Sequence, residues 1–488
     1  MVNSSVNIKR FLCGVFSILF GILSLIWSPY NLALEERLRM RPGLPPFEWW
    51  YNPPDVNRLK VYFFNITNAE SFLSGEDAKL KMEEVGPIIL KEVIKYSDVA
   101  FNDNGTLSYT ARRMIIYDSD LNTIDLNTTL TVPNMAALLA VSYFWDAAYL
   151  VKVMMNLVLE RMVKTIVRKT LYEILYNNTD PFLSLGHTFM RSMVIYGNLG
   201  LLPLMNRNQT TRITVYIGTK FGHQKFFLID KYNGSSYIPS NSNCKHTITD
   251  AADSIIYSQL VPKSRKVKYF YDLVCKPVTF LYQDEVYMYG LKGYRYVLPG
   301  DDFNRTKPPE NDCFKGTPTL PNGLIDLSSC WDSYPIVISF PHFLYGDPKL
   351  LTYVDGMKPN ATLHASFSLI EPVSGVNLDF IARVQININV KPLQGFHKMF
   401  DKFSNMIVPT FYVEKYAELP LYIIVFIYFI HLLPILGSVI SATTLLLGVY
   451  CLWKCAREAH DAKILPNRIQ RRIDGCVPEG QAFLNVAR

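Results

Sequence analysis

The chain has 488 residues, of which 49% are hydrophobic and 19% charged, with a formal net charge of +7. This apolar content excludes an intrinsically disordered chain and is enough for a sizeable core. The basic residues are scattered along the chain, so the modest positive charge does not indicate nucleic-acid binding.

The first predicted element is an apolar segment, 11–34, that contains no charged side chain. About 20 apolar residues cross a bilayer, so we predict a transmembrane helix over 11–32 after a tail of residues 1–10. Lys9 and Arg10 precede the segment, and positive charge marks the cytosolic side. A cleaved signal peptide is the alternative, and the length of the run and the lack of a small-x-small site near its end disfavour it.

A second apolar segment, 419–453, is also free of charged side chains and is predicted to be a transmembrane helix. Six basic residues follow between 454 and 472, which places the tail 454–488 in the cytosol. Both termini are therefore predicted to be cytosolic, and the segment 33–418 between the two helices is predicted to be exoplasmic.

Potential N-glycosylation sites are spread along this predicted exoplasmic segment. Eight Asn-x-Ser/Thr sequons without proline at the middle position lie there, and a glycan is bulky, so each used site must be at the surface. The asparagines are Asn65, Asn104, Asn127, Asn177, Asn208, Asn233, Asn304 and Asn360.

The eight cysteines divide between the predicted compartments. An oxidising compartment would pair the four in the segment 33–418, and three connectivities are open. Cys451 and Cys455, at the cytosolic edge of the second predicted span, are candidates for S-palmitoylation, with buried apolar cysteines as the alternative. The four cysteines of the segment are Cys244, Cys275, Cys313 and Cys330.

The segment 33–418 is rich in strand patterns. Residues 384–391 alternate apolar and polar without a break, which predicts a strand with one buried and one wet face. Residues 212–217 and 286–289 are further β-branched or aromatic runs. No regular alternation of strands with helices of 10–15 residues follows them, so doubly wound and TIM-barrel folds are disfavoured.

Residues 134–180 differ, because they contain no Gly and no Pro and are rich in Ala, Leu, Met and Val. We predict two or three helices here. Arg161, Lys164 and Arg168 recur at spacings of three and four and would share one helix face, with Lys152 and Lys169 nearby. This face is a candidate anion-capturing patch, although spacing alone favours an ordinary solvated helix face.

No enzyme signature is present among the motifs for nucleophilic serines, zinc proteases, dinucleotide binding or phosphate-binding loops. The eight histidines are isolated in the sequence, so we predict no metal site, no cofactor and no enzyme. An active site assembled from distant residues is the alternative.

Several motifs extend from the first predicted span to the second: Glu84–Pro87, Asp180–Leu185, Tyr296–Pro299, Ile338–Tyr345, Ile370–Gly375 and Arg383–Asn387. The Pro-His-Phe-Leu-Tyr and Glu-Pro-x-Ser/Thr-Gly elements among them are the most specific. Together these motifs resemble the class B scavenger receptor family.

The resemblance implies an α+β fold: a large antiparallel β-barrel ectodomain with a helical-bundle tip, flanked by two transmembrane helices. Residues 134–180 match the tip. It also implies an apolar tunnel that carries lipids toward the membrane, and cationic tip residues that capture anionic ligands, which favours a role for Arg161, Lys164 and Arg168. An apolar cargo is costly in water, so a lined conduit is physically reasonable.

The resemblance further implies two disulfide pairs, Cys244–Cys313 and Cys275–Cys330. Many relatives carry six cysteines in this region, with a third bridge in a small extra loop. Only four are present here, so the loop between Cys313 and Cys330 is expected to differ.

From these observations we expect a receptor at the plasma membrane whose partners are lipids or lipoprotein particles and the membrane itself. A lysosomal or endosomal trafficking receptor for a luminal protein is the alternative, and residues 461–465 faintly resemble an acidic-dileucine signal. A sensory accessory protein that delivers hydrophobic odorants is a third hypothesis. The small-xxx-small spacing of Ser17 and Gly21 is compatible with helix pairing in a homo-oligomer, although it is also ordinary membrane-helix composition.

Overall fold

The structure is a computed structural model, and it describes residues 2–27, 29–192, 194–207, 210–238, 247–253, 256–271, 274–304 and 314–474. The chain divides into two compact units. One unit comprises residues 1–36 and 425–488, and the other comprises residues 37–424.

The first unit consists of long apolar helices. Helix α1 (Val2–Ile26) contains a stretch, Ile8–Ile26, that is long and apolar enough to cross a membrane, and α12 (Leu421–Asp474) contains another, Leu421–Asp461. The predicted first span reached residue 32, but α1 ends at Ile26, and Pro29 begins a separate helix, α2 (Pro29–Leu38). A proline is well tolerated at the start of a helix but not inside one, which explains the break.

Helices α1 and α12 pack against each other through small residues. A Cβ added to Gly448 would lie 2.9 Å from the carbonyl oxygen of Gly14, and one added to Gly21 would lie 3.2 Å from that of Ser441. The hydroxyls of Ser24 and Ser441 are 2.6 Å apart. The glycines therefore allow a close approach of the two backbones, in the way that small residues do in membrane helix pairs.

The second unit is built on a large antiparallel sheet of fourteen strands among the described residues, and β4 and β5 form a separate two-stranded sheet. In chain order the strands are β1 (Asn57–Ile66), β2 (Leu80–Asn102), β3 (Thr106–Tyr117), β4 (Thr129–Pro133), β5 (Ile166–Thr170), β6 (Thr210–Tyr216), β7 (Ile229–Tyr232), β8 (Val267–Tyr271), β9 (Lys276–Met288), β10 (Leu291–Val297), β11 (Ile325–Asp326), β12 (Ile336–Ser339), β13 (Val354–Asp355), β14 (Phe367–Ile370), β15 (Asn377–Asn389) and β16 (Ile407–Ala417).

The remaining α-helices are short and connect or cover the strands. In chain order they are α3 (Phe47–Tyr51), α4 (Ala69–Ser74), α5 (Met135–Tyr143), α6 (Tyr149–Met162), α7 (Leu171–Tyr176), α8 (Pro181–Phe189), α9 (Leu201–Met205), α10 (Gly222–Lys225) and α11 (Ala361–His364).

The large antiparallel sheet confirms the mixed fold class, but the expected barrel is wrong. The strands follow the order β7-β6-β3-β2-β1-β16-β15-β14-β10-β9-β8, and no ladder joins the edge strands β7 and β8 in the described residues. Segment 250–252 lies between these edges: the Ala251 carbonyl accepts from Ile229 N–H (2.9 Å), and Ala252 N–H donates to the Lys268 carbonyl (2.8 Å). The segment makes an isolated bridge rather than a strand ladder, so the sheet is not closed.

Strand β15 shows both the strength and the limit of periodicity. The alternating segment does form a strand, but its polar face is not wet as predicted, because Gln385 and Asn387 are completely buried. The Gln385 amide donates to Asn387 Oδ1 at 2.7 Å, and the Asn387 amide donates to the Ser339 hydroxyl at 3.2 Å. Buried amides are tolerated here because neighbouring polar groups satisfy them.

The segment 134–180 is helical as predicted, with α5, α6 and α7, but it also contains strand β5. Helix α6 ends at Met162, and Val163 is already extended (φ −124°, ψ 141°). The β-branched residues at the start of β5 pair with β4, since such residues suit a pleated ladder. The prediction that Arg161, Lys164 and Arg168 share one helix face is therefore wrong.

Candidate functional site

An interior cavity of about 180 Å³ lies within the second unit and is the principal candidate site. Strands of the large sheet and residues of the 131–205 region supply its walls, and most of the lining side chains are aliphatic or aromatic. Apolar walls of this kind remove a hydrophobic ligand from water. Representative lining residues are Leu59, Phe63, Met135, Ile174, Leu204, Phe280, Trp331 and Phe411.

Strand alternation explains how β15 and β16 form one wall. Every second side chain of a strand points to the same face, and most cavity-lining residues of both strands follow this period. Arg383 and Thr410 are the exceptions. The antiparallel register brings them together in opposite pairs, so the two strands present a continuous surface. The pairs are Ala382 with Lys415, Val384 with Val413, and Ile386 with Phe411.

Three cations also lie in the cavity wall, and all three are nearly buried. A buried charge is costly unless an opposite charge accompanies it. Each of these cations pairs with a carboxylate: Lys276 with Asp302 (Nζ to Oδ2, 3.1 Å), Arg383 with Glu414 (Nε to Oε2, 2.7 Å) and Lys415 with Glu92 (Nζ to Oε2, 2.8 Å).

The Lys415–Glu92 pair is the most deeply enclosed of the three. Burial raises the pKa of the Glu92 carboxyl, but the charges of Lys415 and Arg113 outweigh it, so the net pKa is lowered. The Tyr271 hydroxyl donates to Glu92 Oε1 at 3.2 Å, and the Lys415 ammonium lies 4.2 Å from the centre of the Tyr271 ring. Glu92 is therefore ionised at neutral pH and compensates the lysine, which leaves this part of the wall close to neutral.

A second polar cluster forms around His342, although the histidines look isolated in the sequence. His342 Nε2–H donates to Glu84 Oε2 at 2.9 Å, and Lys358 N–H donates to His342 Nδ1 at 3.1 Å. This pattern assigns the neutral Nε2–H tautomer. Burial raises the pKa of Glu84, but hydrogen bonds from His342 and Tyr412 outweigh it and lower the net pKa.

His364 stacks on His342 with ring centres 4.3 Å apart. Its Nδ1 accepts from Asn360 N–H at 3.1 Å, so its ring is also held neutral with the proton on Nε2. Burial, and then the neighbouring His342, lower the pKa of His364 from 6.5 to about 4. The sequence gives no sign of this histidine pair, because only the fold brings His342 and His364 together.

The backbone at His342 adopts a left-handed conformation, with φ 55° and ψ 24°. Gln385 stabilises this turn, because its Oε1 accepts from His342 N–H at 2.7 Å. The buried polar face of β15 thus has a structural purpose: it holds the Pro-His-Phe-Leu-Tyr motif in place.

The five predicted capture residues are not equivalent in the structure. Lys152 donates to the carbonyls of Trp145 (2.6 Å) and Gln394 (2.9 Å), and Lys169 donates to that of Thr179 (2.6 Å), so both have partners within the protein. The remaining three, Arg161, Lys164 and Arg168, are exposed, and no ion pair involves them among the described residues.

Helix α6 exposes an apolar stripe that the sequence analysis missed. Leu150, Met154 and Leu157 lie on one face at helical spacing, and each is more than half exposed. Arg161 follows at the end of the same stripe. Phe189 of α8, the helix that packs on α6, is also strongly exposed. We call Leu150, Met154, Leu157 and Arg161 the α6 surface.

The structure describes one of the two predicted disulfides and both palmitoylation candidates. Cys275 and Cys330 form a disulfide with their Cα atoms 6.5 Å apart, whereas the pair Cys244–Cys313 lies outside the described residues and stays a prediction. Cys451 and Cys455 lie in α12 and are partly buried, and their palmitoylation stays a prediction.

The predicted glycosylation sites lie mostly at the surface. Asn208 is outside the described residues, and Asn65 and Asn304 are partly buried. The other five sequon asparagines are exposed: Asn104, Asn127, Asn177, Asn233 and Asn360.

Two helices long and apolar enough to cross a membrane, together with an apolar cavity within residues 37–424, are typical of a membrane receptor that handles apolar ligands, and comparison with known proteins gives the family. The sequence model of the CD36 family matches residues 11–457. The chain therefore belongs to the CD36 family, and the resemblance to class B scavenger receptors is confirmed.

Individual relatives are similar over most of their length. Human lysosome membrane protein 2 is 27% identical over 407 residues, covering 82% of this chain and 83% of that protein. Bovine scavenger receptor class B member 1 is 25% identical over 407 residues, covering 82% and 79%. The rat protein of the same name is 27% identical over 408 residues, with the same coverage.

Proposed function

We propose that this protein is a receptor that captures lipid or lipoprotein particles and transfers apolar cargo through its interior to the membrane. The observation that carries the proposal is the apolar cavity, whose wall extends along β15 and β16. Cargo in this cavity would be shielded from water along several strand positions, and the transfer requires no covalent chemistry.

Capture is the first step of the proposed function. The α6 surface presents apolar side chains to solvent and ends in a cation, and Lys164 and Arg168 add exposed positive charge in the following residues. An apolar stripe beside cations suits the surface of an anionic lipid particle, where acyl chains and phosphate groups meet. The cations would increase the encounter rate, and the apolar stripe would prolong contact.

The proposed topology places both termini in the cytosol and the segment 33–418 outside, with the helical segment 134–180 as its ligand-binding tip. The charge distribution around the two spans supports it, as do the five exposed sequon asparagines. The proposed location is the plasma membrane.

A cavity-blocking substitution tests the transfer step. Val384→Trp places a large ring in the cavity wall, and the full chain in cells should then lose most uptake of a fluorescent steryl ester from lipoprotein particles while still binding the particles. The matched control is Tyr287→Trp at an exposed position on β9. Uptake that survives Val384→Trp in a correctly folded, surface-exposed protein would contradict transfer through the cavity.

A trafficking receptor for a luminal protein is the second candidate, and the similarity to a lysosome membrane protein favours it. In that case the α6 surface would bind a protein rather than a lipid particle. Lipid extraction from the purified full chain, with mass spectrometry, separates the two: a reproducible apolar lipid beyond the bilayer components supports cargo transfer. A folded protein that carries no such lipid and is located in lysosomes supports the trafficking receptor.

A further inference from the structure

The segment that follows α2 is built firmly into the second unit. Leu38 and Met40 are buried, and Gly218 N–H donates to the Leu38 carbonyl at 2.6 Å. Helix α3 is then anchored by Trp50, which is only 1% exposed and stacks on Tyr96 with ring centres 4.6 Å apart. The outward-facing side chains of this segment therefore have defined positions.

Several of those outward-facing side chains are apolar. The ring of Phe101, near the end of β2, stacks on Phe47 with centres 6.0 Å apart, and Phe47 stacks on Tyr51 at 5.6 Å. Phe101 and Tyr51, which both contact Phe47, remain accessible to solvent at 47% and 39%, and Leu44, three residues before Phe47, is 52% exposed. Exposed aromatic and aliphatic side chains grouped around one short helix indicate an interaction surface.

Helix α3, which carries Phe47 and Tyr51, also contacts the start of a membrane span. Trp49 of α3 lies edge-on to Tyr422, with ring centres 5.6 Å apart, and Tyr422 is the second residue of α12. The apolar stretch of α12 begins at Leu421. Tryptophan and tyrosine are concentrated where membrane helices leave the bilayer, because their rings are apolar at one end and polar at the other.

We propose that Leu44, Tyr51, Phe101 and Tyr422 form a lipid-facing patch that rests on the membrane in which the protein is anchored. The bilayer is the occupant because α3, which carries Tyr51, contacts Tyr422 in the first turn of α12, so lipid must be present beside it. This inference goes beyond the proposed function, since it holds whatever cargo the cavity carries.

Neighbouring polar groups set the depth of the patch. Asn104 lies in the turn directly after β2, is exposed, and is a predicted glycan site. A glycan must stay in water, so Phe101 would lie at the level of the lipid headgroups rather than among the acyl chains. Arg39 and Arg41 are also exposed in this region and suit the phosphate level of a bilayer.

The test is photo-crosslinking of the full chain in nanodiscs of phosphatidylcholine that contain a phosphatidylcholine with a diazirine near its headgroup. Mass spectrometry should find lipid adducts on the peptides that hold Leu44, Tyr51 and Phe101. Leu73 of α4 is an internal control, because it is comparably exposed at 44% and belongs to neither proposed lipid-binding surface, and its labelling should be several-fold lower.

A variant gives a second readout. Phe101→Gln changes an exposed ring to a polar side chain, and labelling of its peptide should fall several-fold while α12 stays labelled. The proposal is overturned if α12 carries adducts while the patch carries no more than the peptide that holds Leu73. It is equally overturned if the patch crosslinks to a second copy of the chain instead of to lipid.

Discussion

Lowering the pH from 7.5 to 5 is expected to destabilise the unit 37–424, because folding holds His364 neutral. The pKa of this histidine is about 4 in the folded protein and 6.5 when unperturbed. Between these values the unfolded chain binds more protons than the folded one, so the free energy of unfolding decreases as the pH falls. The loss is about 2 kcal/mol at pH 5 and about 3 kcal/mol once the pH is below 4.

The physical cause lies in the groups that face the His364 ring. Protonation of Nδ1 would break the hydrogen bond from Asn360 N–H and place a cation against the stacked ring of His342. Arg383 adds a further positive charge, whereas Glu84 is the one group whose charge favours protonation. Burial, His342 and Arg383 together outweigh Glu84, so the net effect is a lowered pKa of His364.

The assay is urea unfolding of the full chain in nanodiscs, followed by tryptophan fluorescence, at pH values between 7.5 and 5. His364→Asn keeps an acceptor for Asn360 N–H but cannot titrate, so it should lose about 2 kcal/mol of the pH-dependent difference. His223→Asn, which removes a partly exposed histidine, is the control. Equal pH dependence of His364→Asn and the unmodified chain would refute the reasoning.

Three further outcomes are expected. Gly448→Val should separate α1 from α12, and crosslinking between cysteines introduced into the two helices should be lost. Gly437→Val should leave the crosslinking intact, because no atom lies within 4 Å of a Cβ added there. Equal crosslinking in the two variants would contradict the close packing of the helices. Replacing Arg161, Lys164 and Arg168 by Glu should weaken sedimentation with phosphatidylserine vesicles at low salt, and unchanged binding would remove these residues from the capture surface. Neutral steryl esters should compete for the cavity better than fatty-acid anions, because an anion must displace the carboxylate partner of a wall cation. A displacement assay in which fatty-acid anions compete better would contradict this prediction.

Features set by a short stretch of sequence were predictable. The two apolar spans follow from length and hydropathy alone, and the alternation of residues 384–391 predicted β15. The alternation did not predict that the polar side of β15 is buried, because burial depends on which other residues pack over that side. Gln385 is buried since the Pro-His-Phe-Leu-Tyr motif packs over it and uses its side chain as a hydrogen-bond acceptor.

The prediction of two or three helices in segment 134–180 was right, but it missed a strand. Residues 166–170 pair with β4, and this partner comes from outside the segment. Arg161, Lys164 and Arg168 were therefore assigned to one helix face, although Arg168 lies in β5. What α6 actually exposes is apolar, and this was hidden because an apolar helical stripe normally faces the core.

The cavity is formed by residues from distant parts of the chain, and their contacts determine the charge of its wall. In β16 the cavity-facing series Phe411, Val413 and Lys415 looks in the sequence like a strand with a charge at its wet end. In the fold that charge is buried, and Glu92 of β2 compensates it. Without its partner, a buried ammonium would attract anionic headgroups into the cavity; with it, the wall is close to neutral. The proposed preference for neutral over anionic lipids therefore depends on the tertiary ion pairs, which no local pattern could reveal.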